Sequence, residues 1–390
     1  MEYQISFKRA REILLPFGEP RRTETVKLID AYGRVLARDV LAVESAPSFD
    51  CSLIDGYAVS SDDCADAPAT LRMSGEVSVG QAITEPLPRG GAIKLHDGAM
   101  LPTGADSVVS VSDVLYAYPN VTVIKQMKPG MNISRHGSIR RSGDVIAVRG
   151  TVVTPELTAA FASQGILELE VYLTPVIGII STGAELVPSD SGAPAVGKKR
   201  DSNRHALEVA IRALGCETFF LGIDVEDDTQ AIADLINRGR GLDAMISTGG
   251  TGGGERDYMP SAFDAMGAFT LTWSGSFKPC GSFAFATLGI TPLIALPGDT
   301  SNALMLFRAI VAPLLRKMRG LPNPYNETLP ARLEGRAIAA GEFMELVPCT
   351  LSIATGEAIA TPTDGIYDAL ALIEPGRVAN IGDSVSVLQV

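Results

Sequence analysis

Histidine is scarce in this sequence: three residues in 390, His96, His136 and His205, each in a different local setting. Histidine-based triads and multi-histidine metal sites are therefore poorly supplied. The five cysteines, Cys51, Cys64, Cys216, Cys280 and Cys349, include no C-x-x-C pair, which argues against a zinc site or a disulfide framework. No run of about 20 residues is apolar and free of charge or proline, so a membrane span is not expected. The opening MEYQISFKRAREIL carries charges where the apolar segment of a signal peptide would lie, and a soluble, cytoplasmic protein is the expectation. Positive charge is short as well: Lys+Arg number 33 against 45 Asp+Glu, a formal net charge of -12. So acidic a chain cannot neutralise many phosphates, which excludes a broad nucleic-acid surface. An anionic ligand would have to be held locally, by backbone N–H groups, helix N-termini, a few placed cations or a divalent metal.

What is present is ample apolar material, 46% hydrophobic against 20% charged residues, a globular composition. At about 100–200 residues per domain the length predicts two to four domains. Residues 6–15 and 28–36 carry helically spaced apolar positions, with a strand between them. Residues 46–144 turn into short β-like runs broken by Gly, Pro and Asp, among them 77–79, 108–111 and 121–124. This reads as a β-rich insertion, after which 155–165 predicts a helix with Pro at its first turn and Gly at its end. From 171 to about 320 strand and helix alternate, the mark of a doubly wound parallel α/β sheet. Strands are expected at 176–180, 219–223, 244–247 and 292–296, with helices at 203–214, 229–238 and a long one carrying Leu304, Phe307, Val311 and Leu314. The last 65 or so residues are strand-rich again. The divisions are 1–45 with 145–170 as an N-terminal mixed domain, 46–144 as the β insertion, 171–322 as the α/β domain and 325–390 as a C-terminal β domain.

One internal echo carries the chemistry. Ile180-Ser181-Thr182-Gly183 and Ile246-Ser247-Thr248-Gly249 are the same four residues, each ending an apolar strand, and a third strand ends in Leu296-Pro297-Gly298. Ligands of open parallel sheets bind outside the carboxyl ends of the strands, where glycine turns let backbone N–H groups approach an anion. Three such ends point to a phosphate-bearing ligand. The second loop continues through Gly250, Thr251, Gly252, Gly253 and Gly254 to Asp257, leaving the backbone free to wrap a ligand. It is not a dinucleotide fingerprint, because Glu255 stands where the third glycine belongs. Residues 192–198 imitate a Walker A loop, but Lys199 replaces the Ser/Thr that would bind Mg2+ and no strand directly precedes it, so a surface loop is expected. Acids near the strand ends are Glu185, Asp201, Asp227, Asp228, Asp257 and Asp299. Carboxylates around a phosphate suggest a hard cation such as Mg2+. Asp201 and Asp299 also stand where helix N-caps belong, so capping and ligand binding both remain open for them. Lys278 is the candidate cation beside the site.

With these motifs in place the chain resembles the molybdopterin molybdenumtransferases, the molybdenum insertases that also include the gephyrin E domain. Phe49-Asp50-Cys51-Ser52-Leu53-Ile54-Asp55-Gly56-Tyr57-Ala58-Val59 is similar to the family's F-D-N-S-A-M-D-G-Y-A-V segment. Leu101 to Asp106, Ser181 to Leu186, Asp201-Ser202-Asn203, the glycine loop ending in Asp257-Tyr258, and Leu296-Pro297-Gly298 follow in the family's order. The resemblance implies four domains, a homodimer in which one subunit's Asp55 segment faces the other's α/β domain, and contact with molybdopterin adenylyltransferase and molybdoenzymes. It implies insertion of molybdate into adenylylated molybdopterin with release of AMP and with Mg2+ as cofactor. On that reading Asp55, Glu185, Asp257 and Lys278 are catalytic, and Glu185, Asp227 and Asp257 hold the metal. Thr182, Gly183, Asp201, Ser247, Thr248, Gly249, Gly250, Thr251, Gly252, Gly253, Pro297, Gly298 and Asp299 would cradle phosphate and pterin.

The departures concentrate elsewhere. The family's Thr-Gly-Ala is Asp97-Gly98-Ala99, R-x-G-E-D becomes Arg135-His136-Gly137-Ser138-Ile139, K-P-G-K-P becomes Lys278-Pro279-Cys280-Gly281-Ser282, and L-P-G-N-P becomes Leu296-Pro297-Gly298-Asp299-Thr300. A lost cation and added carboxylates disfavour an oxyanion such as molybdate. The alternatives to an insertase are therefore a catalytically impaired molybdopterin carrier or sensor, and a dimeric scaffold.

Overall fold

A computed structural model of the protein describes residues 2–224, 228–251, 258–279, 283–354 and 356–390. The chain divides into two compact units, one of residues 1–38, 149–154 and 168–390, the other of residues 39–148 and 155–167.

The first unit is organised by a seven-stranded sheet. Its elements in chain order are β1 (Glu2–Ile5), α1 (Phe7–Ile13), β2 (Val176–Thr182), α2 (Asn203–Ala213), β3 (Glu217–Asp224), α3 (Thr229–Arg238), β4 (Ala244–Thr248), α4 (Met259–Ala265), β5 (Phe269–Gly275), β6 (Ala284–Leu288), β7 (Thr291–Leu296) and α5 (Thr300–Leu306). The strand order is β1-β5-β6-β7-β4-β2-β3. The run β7-β4-β2-β3 is parallel throughout, as the alternation of strand and helix predicts. The sheet as a whole is mixed, however, because β6 runs antiparallel to both β5 and β7. β5 and β6 are rich in Thr and Ala rather than in large β-branched residues, so their apolar signal is weak.

Helices cover both faces, and the alternation of side chains along each strand assigns the layers. Ile177, Ile179, Ile246, Ile294 and Leu296 pack with Leu207 and Ile211 of α2 and with Phe7, Ala10 and Ile13 of α1. Ile180, Met245, Leu293 and Ala295 pack on the other side with Ile232, Leu235 and Ile236 of α3 and with Met259 and Phe263 of α4. The helix starts are fixed locally. Ser6 Oγ accepts the Arg9 N–H at 3.2 Å, and Asp228 accepts the N–H groups of Gln230 and Ala231 at 3.3 Å each. The expected long helix after β7 is realised as α5, a π-helical turn over Phe307–Val311 and a last helix, Ala312–Met318.

The helix expected over 28–36 does not form. Only a 3-10 turn, Leu28–Asp30, is present, and the chain turns away at Gly33 with φ +74°. Leu28, Ala31, Val35 and Leu36 are still buried, but Val35 and Leu36 bridge to Val152 and Val171. Their spacing thus reflected burial without helical pairing. The C-terminal segment forms a six-stranded sheet from Thr328–Leu333, Met344–Ala354, Glu357–Pro362, Ala369–Ile373 and Ser384–Gln389, with the short strand Phe277–Lys278 along the edge of Met344–Ala354. In the second unit a six-stranded sheet centres on Gly56–Val59, between Gly91–Leu95 and Ser107–Ser110. Among the described residues no helix is long and apolar enough to cross a membrane.

Candidate active site at the carboxyl ends of the parallel strands

β2, β4 and β7 end side by side, and their glycine turns lock into one another. The Gly249 N–H donates to Leu296 O at 3.0 Å, the Gly183 N–H to Asp224 O at 3.0 Å, and Thr182 Oγ1 to Thr248 O at 3.2 Å. Gly249 has φ +92°, and a Cβ there would fall 2.3 Å from Thr182 O, so neither the conformation nor the space admits a side chain. Above these ends lies a cavity of about 700 Å3, within the range of small-molecule sites. Thr182, Gly183, Glu185, Asp201, Thr248, Gly249, Gly250, Thr251, Pro297, Gly298 and Asp299 all line it.

The rim is stitched by the Asp201-Ser202-Asn203 and Gly298-Asp299-Thr300 segments. Asn203 Nδ2 donates to Gly298 O at 2.8 Å, and the Thr300 hydroxyl donates to Asn203 Oδ1 at 2.5 Å. Asp201 and Asp299 both cap helices: Asp201 Oδ1 accepts the Arg204 N–H at 3.1 Å and Asp299 Oδ1 accepts the Asn302 N–H at 2.9 Å. Capping does not exhaust Asp201, which is 2% exposed and whose Oδ2 has no hydrogen-bond partner among the described residues. Ser181 Oγ and Ser247 Oγ, buried in the strand ends, are also without partners there. Buried polar atoms left unpaired in the empty state are atoms that a ligand or water can satisfy.

Glu185 is the carboxylate at the mouth. Partial burial works to raise its pKa, but its own backbone N–H, the Lys199 ammonium and the charge of Lys198 prevail, and the group is held below the usual carboxylate range. Lys199 Nζ lies 3.0 Å from Glu185 Oε1. Lys199, Arg200 and Gly197 line the cavity too, so the loop that imitates a Walker motif, though exposed over most of its length, contributes the wall with its end. No signal of strand or helix marks this wall in the sequence, since its strands, Leu186–Val187 and Lys199–Arg200, are two residues long.

The remaining predicted residues fall elsewhere. Lys278 does not line the cavity; its Nζ is 4.0 Å from Glu345 Oε1 on the edge of the C-terminal sheet, and the cations that the cavity wall holds are Lys199 and Arg200. Asp55 belongs to the second unit, where its Oδ1 accepts the Asp97 N–H at 2.9 Å and lies 3.6 Å from His96 Nδ1. His96 Nε2 continues to Glu76 at 3.2 Å and Lys94 to the same carboxylate at 2.9 Å. The replacement residue Asp97 thus meets Asp55 through its backbone N–H. Asp227, Gly252, Gly253 and Asp257 lie outside the described residues. Among the described residues no three metal-ligating side chains converge. Glu185 could hold a divalent ion only with oxygens from a ligand, from water or from residues outside that set.

An open α/β sheet with a glycine-walled, partly acidic cavity at its strand ends defines a binder of phosphate-bearing small molecules. Comparison with known proteins gives the kind. Residues 5–165 match the MoeA N-terminal region (domain I and II), and residues 178–317 match the probable molybdopterin binding domain. The chain is 33% identical over 308 residues to the molybdopterin molybdenumtransferase of Haemophilus influenzae, spanning 78% of this chain and 75% of that one. It is 29% identical over 356 residues to the enzyme of the same name from Bacillus subtilis, spanning 89% and 82%. The molybdopterin biosynthesis moeA protein from Pyrococcus horikosii superposes with a TM-score of 0.86 at 25% identity, covering 99% of both chains. The chain belongs to the molybdopterin molybdenumtransferase family, enzymes of molybdenum cofactor biosynthesis.

Proposed function

We propose that the cavity takes adenylylated molybdopterin and that the protein inserts molybdate into it with release of AMP, working as a homodimer. The observation that carries this reading is the convergence of three glycine-ended strands on one cavity whose wall holds a buried, half-unpaired carboxylate, Asp201. The chemistry is cleavage of a phosphoanhydride, in which positioning and charge neutralisation do most of the work. The turns at Gly183, Gly249 and Gly298 leave their backbone open to a phosphate. Asp201 Oδ2 can accept an N–H from the pterin ring. A Mg2+ ion, when bound through Glu185 and ligand oxygens, would neutralise phosphate charge.

The test is direct. Purified protein with adenylylated molybdopterin, Mg2+ and molybdate should release AMP, and release should require molybdate. AMP release indifferent to molybdate would sink the insertase reading. Tight binding with no turnover would make the protein a carrier, the reading favoured by Lys278 facing Glu345 rather than the cavity. Asp257→Ala is expected to abolish AMP release.

A further inference from the structure

Residues 198–200 are three consecutive cations, and the structure gives them different employment. Lys198 Nζ donates to Ala184 O at 2.5 Å. The Arg200 guanidinium donates to Ser189 O, Ser191 O and Gly192 O at 3.1–3.3 Å. Both are spent on backbone carbonyls of the loop. Lys199 alone of the three has a carboxylate, Glu185, and that carboxylate is at the cavity. Its place there is built: Lys199 N–H donates to Glu185 O at 2.8 Å, and Lys199 pairs in register with Leu186. Glu185 is folded back over Gly183, where a Cβ would stand 2.6 Å from its Oε2, so the missing side chain of Gly183 makes the room for it.

We propose that Lys199 is an exchangeable counter-ion: in the free protein it occupies Glu185, and an arriving phosphate draws the ammonium away, freeing the carboxylate for a divalent cation. Loading of the cation is thereby coupled to arrival of the anionic ligand. The inference rests on the reading of the cavity as a phosphate site. The physical basis is that both members of the pair are partly exposed, and exposed pairs are weak. A flexible ammonium on a four-carbon stem can exchange one anion for another without rearranging the backbone. It also answers how a protein of net charge -12 keeps a phosphate site neutral with no ligand in it.

The experiment uses the full-length protein and reads binding without turnover. Mn2+ affinity is measured by electron paramagnetic resonance with and without AMP, and AMP affinity by calorimetry without metal, for the wild type, Lys199→Met, Lys199→Arg and Glu185→Gln. AMP should raise Mn2+ affinity in the wild type. Lys199→Met should bind Mn2+ about threefold tighter than the wild type when AMP is absent, and AMP about threefold more weakly when metal is absent. Lys199→Arg should stay near the wild type, and Glu185→Gln should erase the effect of Lys199→Met in the double variant. Equal or weaker Mn2+ binding by Lys199→Met overturns the exchange. AMP binding by the wild type in that outcome would leave the phosphate site standing, whereas failure of every form to bind AMP would overturn both.

Discussion

Ile180-Ser181-Thr182-Gly183 and Ile246-Ser247-Thr248-Gly249 are identical in sequence and lie on adjacent parallel strands, yet they do different things. The register pairs Ile179 with Ile246 and Ile180 with Ser247, so one copy is displaced by a single residue along the other. A one-residue displacement sends every side chain to the opposite face of a sheet. Ile180 accordingly packs on the α3 and α4 side and Ile246 on the α1 and α2 side. The glycines diverge as well. Gly249 is wedged against the Thr182 carbonyl with φ +92°, while Gly183, at φ +149°, faces the movable Glu185 side chain. The lesson is that a repeated motif at strand ends marks where a ligand binds without fixing what each copy contributes.

The largest expected effect separates those two glycines. Gly249→Ala adds both backbone strain and a clash with a carbonyl that cannot move, and should lose about 2–4 kcal/mol of stability in denaturant unfolding. Gly183→Ala shares the strain but meets only a carboxylate at a side chain's end, and should lose about 1–2 kcal/mol. Equal losses would break the asymmetry. Next comes Asp201, a cap with one oxygen and a candidate ligand contact with the other. Asp201→Ala should lose about 1 kcal/mol through the cap, whereas Asp201→Asn should keep stability within a few tenths of that. If Asp201→Asn also leaves the affinity for a pterin ligand untouched, Asp201 is a cap and nothing more.

A smaller effect, dependent on pH, tests the second unit. Asp50 is held below its ordinary value of 3.8, first by the His136 backbone N–H and also by Arg135, whose Nη1 is 2.6 Å from Oδ2. A depressed carboxylate stabilises the fold above its ordinary value, and this stability is lost as pH falls through the folded one. Because the pair is partly solvated, Arg135→Ala should destabilise by about 0.5–1 kcal/mol at neutral pH. The difference from the wild type should shrink below about pH 4. A gap unchanged in acid would show that Arg135 acts by packing. The pairing also explains why the arginine of the diverged Arg135-His136-Gly137-Ser138-Ile139 segment is present while its acids are not: it anchors the strand that leads to Asp55.

Legibility follows the strength of local signals. The buried runs of β2, β4 and β7 are continuous and apolar, and the periodicity and caps of α3 give its ends, Thr229 and Arg238, from the sequence. The antiparallel edge made by β5 and β6 is not visible, because Thr and Ala mark no period strongly. Residues 28–36 mislead, because bridging turns bury the same spacing that a helix would. At the cavity, the glycine turns and Asp201 are legible as strand-end chemistry. Lys199 is not, since comparison with a Walker template asks what residue 199 fails to be. Its role comes from a register between two-residue strands that joins it to Glu185 across the intervening loop.

The finest discrimination between the two copies lies in their serines. Ser181 and Ser247 alternate onto opposite faces, and each hydroxyl is buried with no partner among the described residues. A buried hydroxyl with nothing to bond destabilises the free protein, so removing it relieves a desolvation penalty. Ser181→Ala and Ser247→Ala should therefore change stability by no more than about 0.5 kcal/mol, toward greater stability if anything. Ligand affinity is where they should part. A hydroxyl that a bound ligand or its ordered water satisfies will weaken binding when removed, by about 0.5–1.5 kcal/mol for a neutral hydrogen bond. Calorimetric titration of both variants with molybdopterin reads this directly. A loss confined to one serine would assign the ligand's polar edge to that face of the sheet, and no loss in either would leave both hydroxyls as tolerated remnants of a strand end whose backbone does the binding.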